Sequence, residues 1–220
     1  MKTIILGAGG GGKVYLDNLR SCPEVKNVEV VGFIDDSPDL QGQRIMGVPV
    51  IGSYQQLPEL MKEYNIEGLI VAYSDRLMKI REERFNGGRE LGLKPVTIIH
   101  PSAVMSPSVK IGEGVLIGKG VLMDTEVRIG DNCSVHRGTT IGEDSVLEEN
   151  VWITAGVNLA AHVTVRKNTM IGTGANVIPR CTIGKNVIVG AGAVVINDIP
   201  DNVTVVGVPA KIIKTREEVA

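Results

Sequence analysis

The sequence has few aromatic residues, few cysteines and no long apolar run. Aromatic residues make up 3% of 220 residues, so Val, Ile and Leu must fill the core. Three widely spaced cysteines, Cys22, Cys133 and Cys181, form no CxxC pair, which predicts buried thiols in a reducing compartment. No stretch approaches the roughly 18 apolar residues of a spanning helix, and the start MKTIILGAG lacks the basic segment of a signal peptide. We therefore expect a cytoplasmic protein that does not bind membranes.

Neither sign of charge dominates. Lys and Arg number 23 against 25 Asp and Glu, which gives a formal net charge of −2. A protein that binds nucleic acid through the phosphate backbone needs a positive surplus, so nucleic acid is not an expected partner. Glycine, by contrast, is abundant at 27 residues.

Residues 1–96 alternate short apolar runs with helical patterns. The predicted strands are Thr3–Leu6, Glu29–Ile34, Gly68–Tyr73 and Val96–Ile99. The predicted helices are Lys13–Arg20, Tyr54–Tyr64 and Arg76–Leu91. This alternation predicts a small parallel sheet covered by helices, that is, an α/β Rossmann-like domain.

From residue 97 onward the chain repeats every six residues. Written in sixes from Val109, it begins VKIGEG VLIGKG VLMDTE VRIGDN CSVHRG TTIGED, and the register continues unbroken. The third place is aliphatic in all seventeen instances from Ile99 to Val195. This period is the sign of a hexapeptide-repeat left-handed parallel β-helix, in which residues eighteen apart stack at about 4.8 Å. We predict two domains, the Rossmann-like domain over residues 1–96 and the all-β helix over residues 97–220.

The turn after the first strand has the sequence GAGGGG, which satisfies GxGxxG between a strand and a helix. Its backbone amides could hold a diphosphate; the predicted contacts are Gly7, Gly9, Gly10, Gly11 and Gly12. Asp35 or Asp36, at the end of the next strand, could accept a hydrogen bond from a ribose or a base. Fewer than 100 residues precede the repeats, so a sugar nucleotide fits better than NAD. The structural alternative is a tight glycine turn without a ligand.

The sixth residue of each repeat forms a corner of the β-helix, and these corners stack in three rows. In one row, ionisable residues replace the usual glycine and asparagine. The members of this row are Glu126, Asp144, His162, Arg180 and Asp198. A histidine one coil from the carboxylates of Glu143 and Asp144 can be oriented by them and act as a general base. The structural alternative is a solvent-exposed charge ladder that stabilises a corner.

His136 occupies a fourth place, where glycine is commonest, and His100 lies two coils beneath it. His136 is either a polar group at a subunit groove or a surface histidine. Zinc ligands converge within about 2.1 Å of one point, whereas two coils separate these histidines by roughly 10 Å. Because His162 falls on another edge, we expect no metal site.

The segments IILGAGGGGKV, VVGFIDD and GVPVIG, the hexapeptides and the ending VTVVGVPAKII resemble a known family over essentially the whole chain. It is the sialic-acid O-acetyltransferase and nucleotide-amino-sugar N-acetyltransferase family, which includes the bacillosamine and perosamine N-acetyltransferases. The resemblance implies a homotrimer with active sites between subunits, acetyl-CoA along the β-helix, and a nucleotide sugar on the N-terminal domain. It also implies a histidine that takes the proton from the sugar amine or hydroxyl as this group attacks the thioester.

The chain departs from the family pattern at the expected base. The family stretch reads like EHDCVIGD, whereas residues 142–146 read GEDSV, so Glu143 occupies the place of the histidine. Gly11 and Trp152 replace two further histidines of the family, while His136 stands where the family tends to have asparagine. The run NLAAHV around His162 resembles the LAGHV stretch of the UDP-N-acetylglucosamine acyltransferases of lipid A synthesis, in which that histidine lies near the reacting centre.

Three explanations for the missing histidine stay open. The base has moved to His162, supported by Glu143 and Asp144; or it has moved to His136 across the subunit interface, with Glu143 orienting it; or the chain binds its ligands without efficient transfer. Glu143 could itself serve if burial raised its pKa well above about 4.3. The amide of Ala161 is a candidate for the oxyanion. Acyl-CoA contacts are expected at Ala161, Thr173, Gly174 and Ala191, with Lys185 and Lys211 for the CoA phosphates.

The sequence therefore predicts an acyl-CoA-dependent N- or O-acyltransferase, using acetyl-CoA as co-substrate. Its acceptor is expected to be a nucleotide-linked amino sugar for surface polysaccharide or glycan synthesis. Two other classes stay open. One is a non-catalytic trimer that binds nucleotide sugar or CoA. The other is a hexapeptide-repeat metalloenzyme like the γ-class carbonic anhydrases, which the histidine spacing disfavours.

Overall fold

The computed structural model describes residues 1–73 and 77–216. The chain divides into two compact units, Met1–Ile98 and Ile99–Ala220. The first unit mixes helices and strands, and the second is built from short strands. Among the described residues, none of the helices combines the length and apolarity that crossing a bilayer requires.

The N-terminal unit is built on a six-stranded sheet. Its strands are β1 (Lys2–Leu6), β2 (Glu29–Ile34), β3 (Arg44–Ile45), β4 (Val48–Gly52), β5 (Gly68–Val71) and β6 (Lys94–Pro95). They lie in the order β3-β4-β2-β1-β5-β6, and all neighbours pair parallel except β3 with β4. Ile4, Ile5 and Leu6 of the central strand are fully buried, as expected for a strand covered on both faces. The predicted parallel sheet is confirmed, with one antiparallel edge strand.

Three helices and three single 3₁₀ turns connect these strands. The helices are α1 (Gly10–Arg20), α2 (Leu57–Tyr64) and α3 (Met78–Glu90), and the 3₁₀ turns are Pro23–Val25, Pro38–Leu40 and Tyr54–Gln56. Leu57 and Leu60 of α2 and Phe85 of α3 join the apolar side chains of the sheet in one core. Each such side chain, when fully buried, contributes about 1.5–3 kcal/mol. The α/β prediction for this unit is therefore met by the packing.

Several predicted bounds in this unit are wrong by a few residues. The predicted turn Gly7–Gly12 is too long, because α1 already begins at Gly10 and Lys13 N–H donates to the Gly9 carbonyl at 3.2 Å. The predicted helix Tyr54–Tyr64 opens with a 3₁₀ turn before α2, and the predicted strand Gly68–Tyr73 ends at Val71. The start of the predicted helix at Arg76 lies outside the described residues.

The boundary between the two patterns also differs from the prediction. The predicted strand Val96–Ile99 is wrong: the first sheet ends at Lys94–Pro95, and Ile98–Ile99 is instead a neighbour of Leu116–Ile117 in the sheet order of the repeats. Its sequence already follows the six-residue register. The β3–β4 hairpin was not predicted, although its two turn residues, Met46 and Gly47, both take positive φ as a tight hairpin requires.

The C-terminal unit is a left-handed parallel β-helix with three faces. The first face holds Ile98–Ile99, Leu116–Ile117, Ser134–Val135, Trp152–Ile153, Met170–Ile171, Ile188–Val189, Val203–Val206 and Lys211–Thr215. The second holds Val104–Met105, Leu122–Met123, Thr140–Ile141, Asn158–Leu159, Asn176–Val177 and Val194–Val195. The third holds Lys110–Ile111, Arg128–Ile129, Val146–Leu147, Thr164–Val165 and Thr182–Ile183. Within the repeats each strand pairs with the strand eighteen residues away, as Leu116 does with Ser134, which confirms the predicted coil length.

The interior of the β-helix is filled by the third and first places of the repeats. The third-place residues from Ile117 to Val195 are all buried. Three first-place hydroxyl residues, Thr139, Ser145 and Thr169, are fully buried as well. Each hydroxyl donates to a backbone carbonyl, at 3.1, 3.1 and 2.7 Å respectively. Because the hydroxyls have partners, their burial carries no penalty for an unsatisfied polar group.

Three corner rows of the β-helix are named here by their residues. The glycine edge is Gly120, Gly138, Gly156, Gly174 and Gly192; the asparagine edge is Gly114, Asn132, Asn150, Asn168 and Asn186; the charged edge is Glu126, Asp144, His162 and Arg180. All of them adopt positive φ. Asp198, which the sequence also placed in the charged row, does not, because the repeat ends there. Asn202, which accepts a hydrogen bond from the Asn186 side chain, continues the asparagine edge with a positive φ.

Some fourth places, such as Gly172, require glycine because successive coils approach closely there. A Cβ on Gly172 would lie 2.6 Å from the Ala191 amide nitrogen and 2.7 Å from the Val189 carbonyl oxygen, both backbone atoms. Such contacts cannot be relieved by rotating a side chain. The position is therefore constrained by the spacing of the coils.

We expect Gly172→Ala to lower the free energy of unfolding by about 1–3 kcal/mol through overpacking. Asp124→Ala is the matched control, because this exposed fourth-place residue already carries a Cβ. Urea unfolding followed by circular dichroism measures both variants. Equal stability of Gly172→Ala and the parent protein would contradict the packing argument.

Candidate functional site

The glycine turn of the N-terminal unit has distinct roles for its members. Gly7 takes φ +98°, and a Cβ on Gly12 would collide with the Gly7 carbonyl oxygen. Gly9 and Gly10, in contrast, are exposed, and a Cβ on either would meet no atom within 4 Å. Gly11 lies in the first turn of α1 and is half-buried. The turn thus combines residues needed for the fold with open backbone at a helix start, where N–H groups have no partner within the helix.

The two predicted acids after β2 have partners of their own. Asp35 Oδ2 accepts the Ala8 N–H at 2.7 Å, and Asp35 Oδ1 accepts the Ser37 N–H at 2.9 Å. Asp36 Oδ1 accepts the Tyr54 N–H at 2.8 Å. Asp35 therefore ties the end of β2 to the glycine turn, and a ligand could use only its remaining lone pairs.

Arg84, Tyr54 and Tyr73 form a cluster around Asp36 that the sequence analysis missed. The Arg84 guanidinium lies 3.3 Å from Asp36 Oδ2 and 3.7 Å from the centre of the Tyr54 ring. Burial, with the nearby Asp36 charge, raises the pKa of Tyr73 to about 12, although Arg84 opposes the shift. No motif marks these residues, because they come from separate elements.

The charged edge brings His162 beside an acid, as the sequence predicted. His162 Nδ1 lies 3.7 Å from Asp144 Oδ2, an ion-pair distance that is too long for a hydrogen bond. The two side chains are 39% and 52% exposed. The His162 N–H donates to the Glu143 carbonyl at 2.8 Å, so Glu143 lies one coil away through its backbone. Ala161 immediately precedes His162 at this edge.

His136 and Trp152 contact each other on adjacent coils. Their ring centres are 4.7 Å apart with an interplanar angle of 40°. Trp152 is 5% exposed and His136 is half-buried. The two histidines of interest, His136 and His162, therefore lie at different edges of one chain. His100 is held separately, since its Nδ1 accepts the Ser102 N–H at 3.1 Å.

A groove of about 630 Å³ runs along the glycine edge. It is lined by Lys119, Gly120, Arg137, Gly138, Ala155, Gly156, Thr173 and Gly174. Thr173 Oγ1 donates to Thr154 Oγ1 at 3.3 Å, which orients one hydroxyl of the groove. Thr173 and Gly174 were predicted to contact CoA, whereas Lys119 and Arg137 also line the groove and were not selected from the sequence, because isolated basic residues carry no motif.

Of the other predicted CoA residues, Ala191 continues the glycine edge, whereas Ala161, Lys185 and Lys211 lie elsewhere in the chain. Ala191 is one coil beyond Thr173 on the glycine edge, and Ala161 is on the charged edge. Lys185 precedes the asparagine edge and donates its N–H to Asp201 Oδ1 at 2.8 Å. Lys211 begins the last strand, paired with Val206. Among the described residues, no three His, Cys, Asp or Glu side chains are grouped as metal ligands.

Comparison with known proteins places both units in families. Residues 2–85 match the PglD N-terminal domain, and residues 108–143 and 162–197 match the bacterial transferase hexapeptide repeats. A search of curated proteins found no significant match.

Several solved structures match over nearly the whole chain. PerB, a perosamine N-acetyltransferase from Caulobacter crescentus solved with CoA and GDP-perosamine, is 37% identical, with 97% of this chain and 98% of that chain covered and a TM-score of 0.88. The acetyltransferase domain of PglB from Neisseria gonorrhoeae, solved with acetyl coenzyme A, is 32% identical over 96% and 98%, with a TM-score of 0.84. WeeI from Acinetobacter baumannii is 26% identical over 97% and 100%, with a TM-score of 0.85.

The raised pKa of Tyr73 has a consequence at high pH. An unfolded tyrosine ionises near pH 10, whereas the folded Tyr73 ionises near pH 12. The stabilisation from the protonated hydroxyl is therefore complete below pH 10 and is lost as the pH rises through 12. We expect the unfolding free energy to fall more steeply over this range in the parent than in Tyr73→Phe, as measured by denaturant titration at each pH. Parallel pH profiles would contradict the shift.

Proposed function

The chain belongs to the hexapeptide-repeat acetyltransferase family of perosamine N-acetyltransferase and the PglB acetyltransferase domain, and we propose that it transfers an acetyl group from acetyl-CoA to the amine of a nucleotide-linked sugar. The observation that carries the proposal is the joint presence of two elements. One is the glycine turn at a helix start, and the other is a β-helix with a groove of small residues. The product would serve surface polysaccharide or glycan synthesis.

The glycine edge is the proposed site for the CoA chain. Ala155, Gly156 and Gly174 have little or no side chain, so an extended pantetheine can lie against the backbone there. Thr173 adds one oriented hydroxyl. Ala191 extends the same edge by one further coil.

The N-terminal unit is the proposed site for the nucleotide. A Cβ on Gly9 or Gly10 would meet no atom within 4 Å, so the backbone at the start of α1 is open to a ligand. Helix N-termini attract diphosphates through these amides and the helix dipole. Asp35 contributes by fixing the turn through Ala8. Asp36 lies with Arg84 beside the same strand end.

His162 is the proposed general base, and His136 is the alternative. His162 is accessible, lies at an ion-pair distance from Asp144, and adjoins Glu143, which stands at the family position of the base. His136 adjoins the groove through Arg137, but its ring packs on Trp152. The two hypotheses predict loss of activity in different single variants, His162→Ala or His136→Ala.

The reaction requires one bond to form and one to break. The sugar amine attacks the thioester carbonyl, the new N–C bond forms, and the C–S bond then breaks. The base takes a proton from the attacking amine and returns it to the departing CoA sulfur. A backbone amide, for which Ala161 is the candidate, stabilises the negative oxygen of the tetrahedral intermediate.

A homotrimer is proposed as the active assembly. Two apolar residues one coil apart on the second face, Val104 and Leu122, are 65% and 47% exposed. Ile178 and Ile196, one coil apart next to the charged edge, are 40% and 43% exposed. Such surfaces favour closure by identical chains around a symmetry axis. In that assembly the charged edge of one chain would face the glycine edge of the next, which would unite the residues that one chain keeps apart.

Thiol release from acetyl-CoA with a panel of UDP-, dTDP- and GDP-linked 4-amino sugars tests the proposed activity. We expect turnover with one member, and a loss of about 100-fold or more in kcat for His162→Ala, as for removal of a general base. Asp144→Asn should lower kcat less. His100→Ala is the control, since this histidine is bonded to Ser102 and lies outside the groove.

Two results would contradict this account. No thiol release across the panel, with nucleotide sugar still bound, would favour a binding protein in which Glu143 marks the loss of the base. If His162→Ala kept full activity and His136→Ala were inactive, the general base would be His136, beside the glycine edge.

Light scattering tests the assembly. We expect three times the mass of one chain at micromolar concentration, and dissociation of Leu122→Glu because it buries a charge in the interface. Arg128→Glu, on the third face, is the matched control. A monomeric parent protein would remove the proposed site between subunits.

A further inference from the structure

A cavity of about 520 Å³ opens in the N-terminal unit at the C-terminal end of α1. Four of the residues that line it, Leu16, Leu19, Cys22 and Val48, are buried. The volume equals that of about 17 water molecules at roughly 30 Å³ each. The cavity is therefore large enough for a small organic molecule.

This cavity is separate from the glycine turn. Helix α1 runs from Gly10 at that turn to Arg20 at the cavity, a length of about 16 Å at 1.5 Å per residue. Strand β2 likewise lines the cavity near its beginning, at Val30, whereas its end leads into Asp35. A ligand in the cavity would not occupy the proposed nucleotide site.

The turn after α1 leaves part of the sheet open to the cavity. The chain continues from α1 into the 3₁₀ turn Pro23–Val25, and the Val28 N–H donates to the Val25 carbonyl at 2.9 Å. Val25, Val28 and Val30 line the cavity and are only half-buried, although all three are apolar. An alkyl chain lying against them would remove this apolar surface from water.

Two cations line the same cavity. Arg20 and Lys26 are both exposed, and none of the described lining residues is Asp or Glu. Arg20 Nη2 donates to the Met46 carbonyl at 3.0 Å, which holds the guanidinium between α1 and the β3–β4 hairpin. This bond uses one of the five guanidinium N–H donors, so the others can reach an anion. The cavity thus combines apolar walls with positive charge.

The Cys22 thiol adds no negative charge to the lining. Burial, followed by the charge of Glu24, raises the pKa of this thiol above its ordinary value. The Cys22 Sγ–H also donates to the Asn18 carbonyl at 3.0 Å. Glu24 itself is exposed and is not among the residues that line the cavity. The described lining is therefore apolar or cationic at neutral pH.

We propose that this cavity binds an amphipathic anion, an unbranched alkyl chain that carries one carboxylate or phosphate group. The chain lies against Val25, Val28 and Val30, and the anionic group pairs with Lys26 and Arg20. Lysine and arginine both donate charge-assisted hydrogen bonds to such groups. The inference is independent of the proposed acetyl transfer and concerns a different part of the molecule.

Calorimetric titration of the full-length protein with decanoate, below the concentration at which it forms micelles, tests the proposal. We expect decanoate to bind about tenfold more tightly than octanoate, because two further CH₂ groups leave water. Lys26→Gln should raise the dissociation constant of decanoate about fivefold through loss of the charge-assisted bond. Lys62→Gln is the matched control, since this exposed lysine of α2 does not line the cavity.

A larger side chain in the cavity tests the apolar contact. Val30→Phe should abolish decanoate binding because the ring takes the space of the alkyl chain. Val25→Phe, on the 3₁₀ turn outside the sheet, is the second variant and should have the same effect. Circular dichroism shows whether each variant keeps its fold, and only folded variants are compared.

Decanol and decyl phosphate identify what the cations recognise. Weaker binding of decanol than of decanoate, unchanged by Lys26→Gln, would support recognition of the anionic group. Tighter binding of decyl phosphate than of decanoate would support the proposal with phosphate as that group. Three results would overturn it: no binding of decanoate or decyl phosphate to the parent, equal binding of decanol and decanoate, or unchanged binding in the folded phenylalanine variants.

Discussion

Hydrogen bonding between residues eighteen apart is the constraint on which the C-terminal unit depends. Within the repeats every coil is eighteen residues long, because the ladder places each strand on the next in register. At the end of the β-helix the spacing shortens, and Ile188 pairs with Thr204. The same register stacks side chains in columns, aliphatic inside and polar at the corners. A residue that departs from the usual glycine or asparagine of a corner, such as His162, is therefore placed at a defined edge by the backbone and not by its own contacts.

Glycine has two different roles in this chain. At fourth places such as Gly142, a Cβ would meet the backbone of the next coil, so glycine permits the coils to stack. At the glycine edge, a Cβ would meet nothing within 4 Å on Gly120 or Gly156, so glycine there provides positive φ and leaves an open surface. The open surface coincides with the groove. The glycines that adopt the positive φ of the turn are thus also the residues that leave room for a ligand.

The sequence was most informative where one period repeats. The six-residue pattern predicted the strands, the coil length and the edges of the β-helix, because each position has one environment throughout. It predicted less well at Val96–Ile99, where two patterns meet and Ile98–Ile99 joins the repeats. The site was harder, since Arg84, Tyr54 and Tyr73 come together only through the tertiary fold. Lys119 and Arg137 were not selected for a related reason, since only the fold places them beside Thr173 and Gly174 at the glycine edge.

The central claim is that the glycine edge holds the acyl donor, and a crystal structure with bound CoA tests it most directly. The account predicts pantetheine density along Ala155, Gly156, Thr173 and Gly174, between two chains of a trimer. CoA bound away from this edge, at the asparagine edge or on the N-terminal unit, would contradict it.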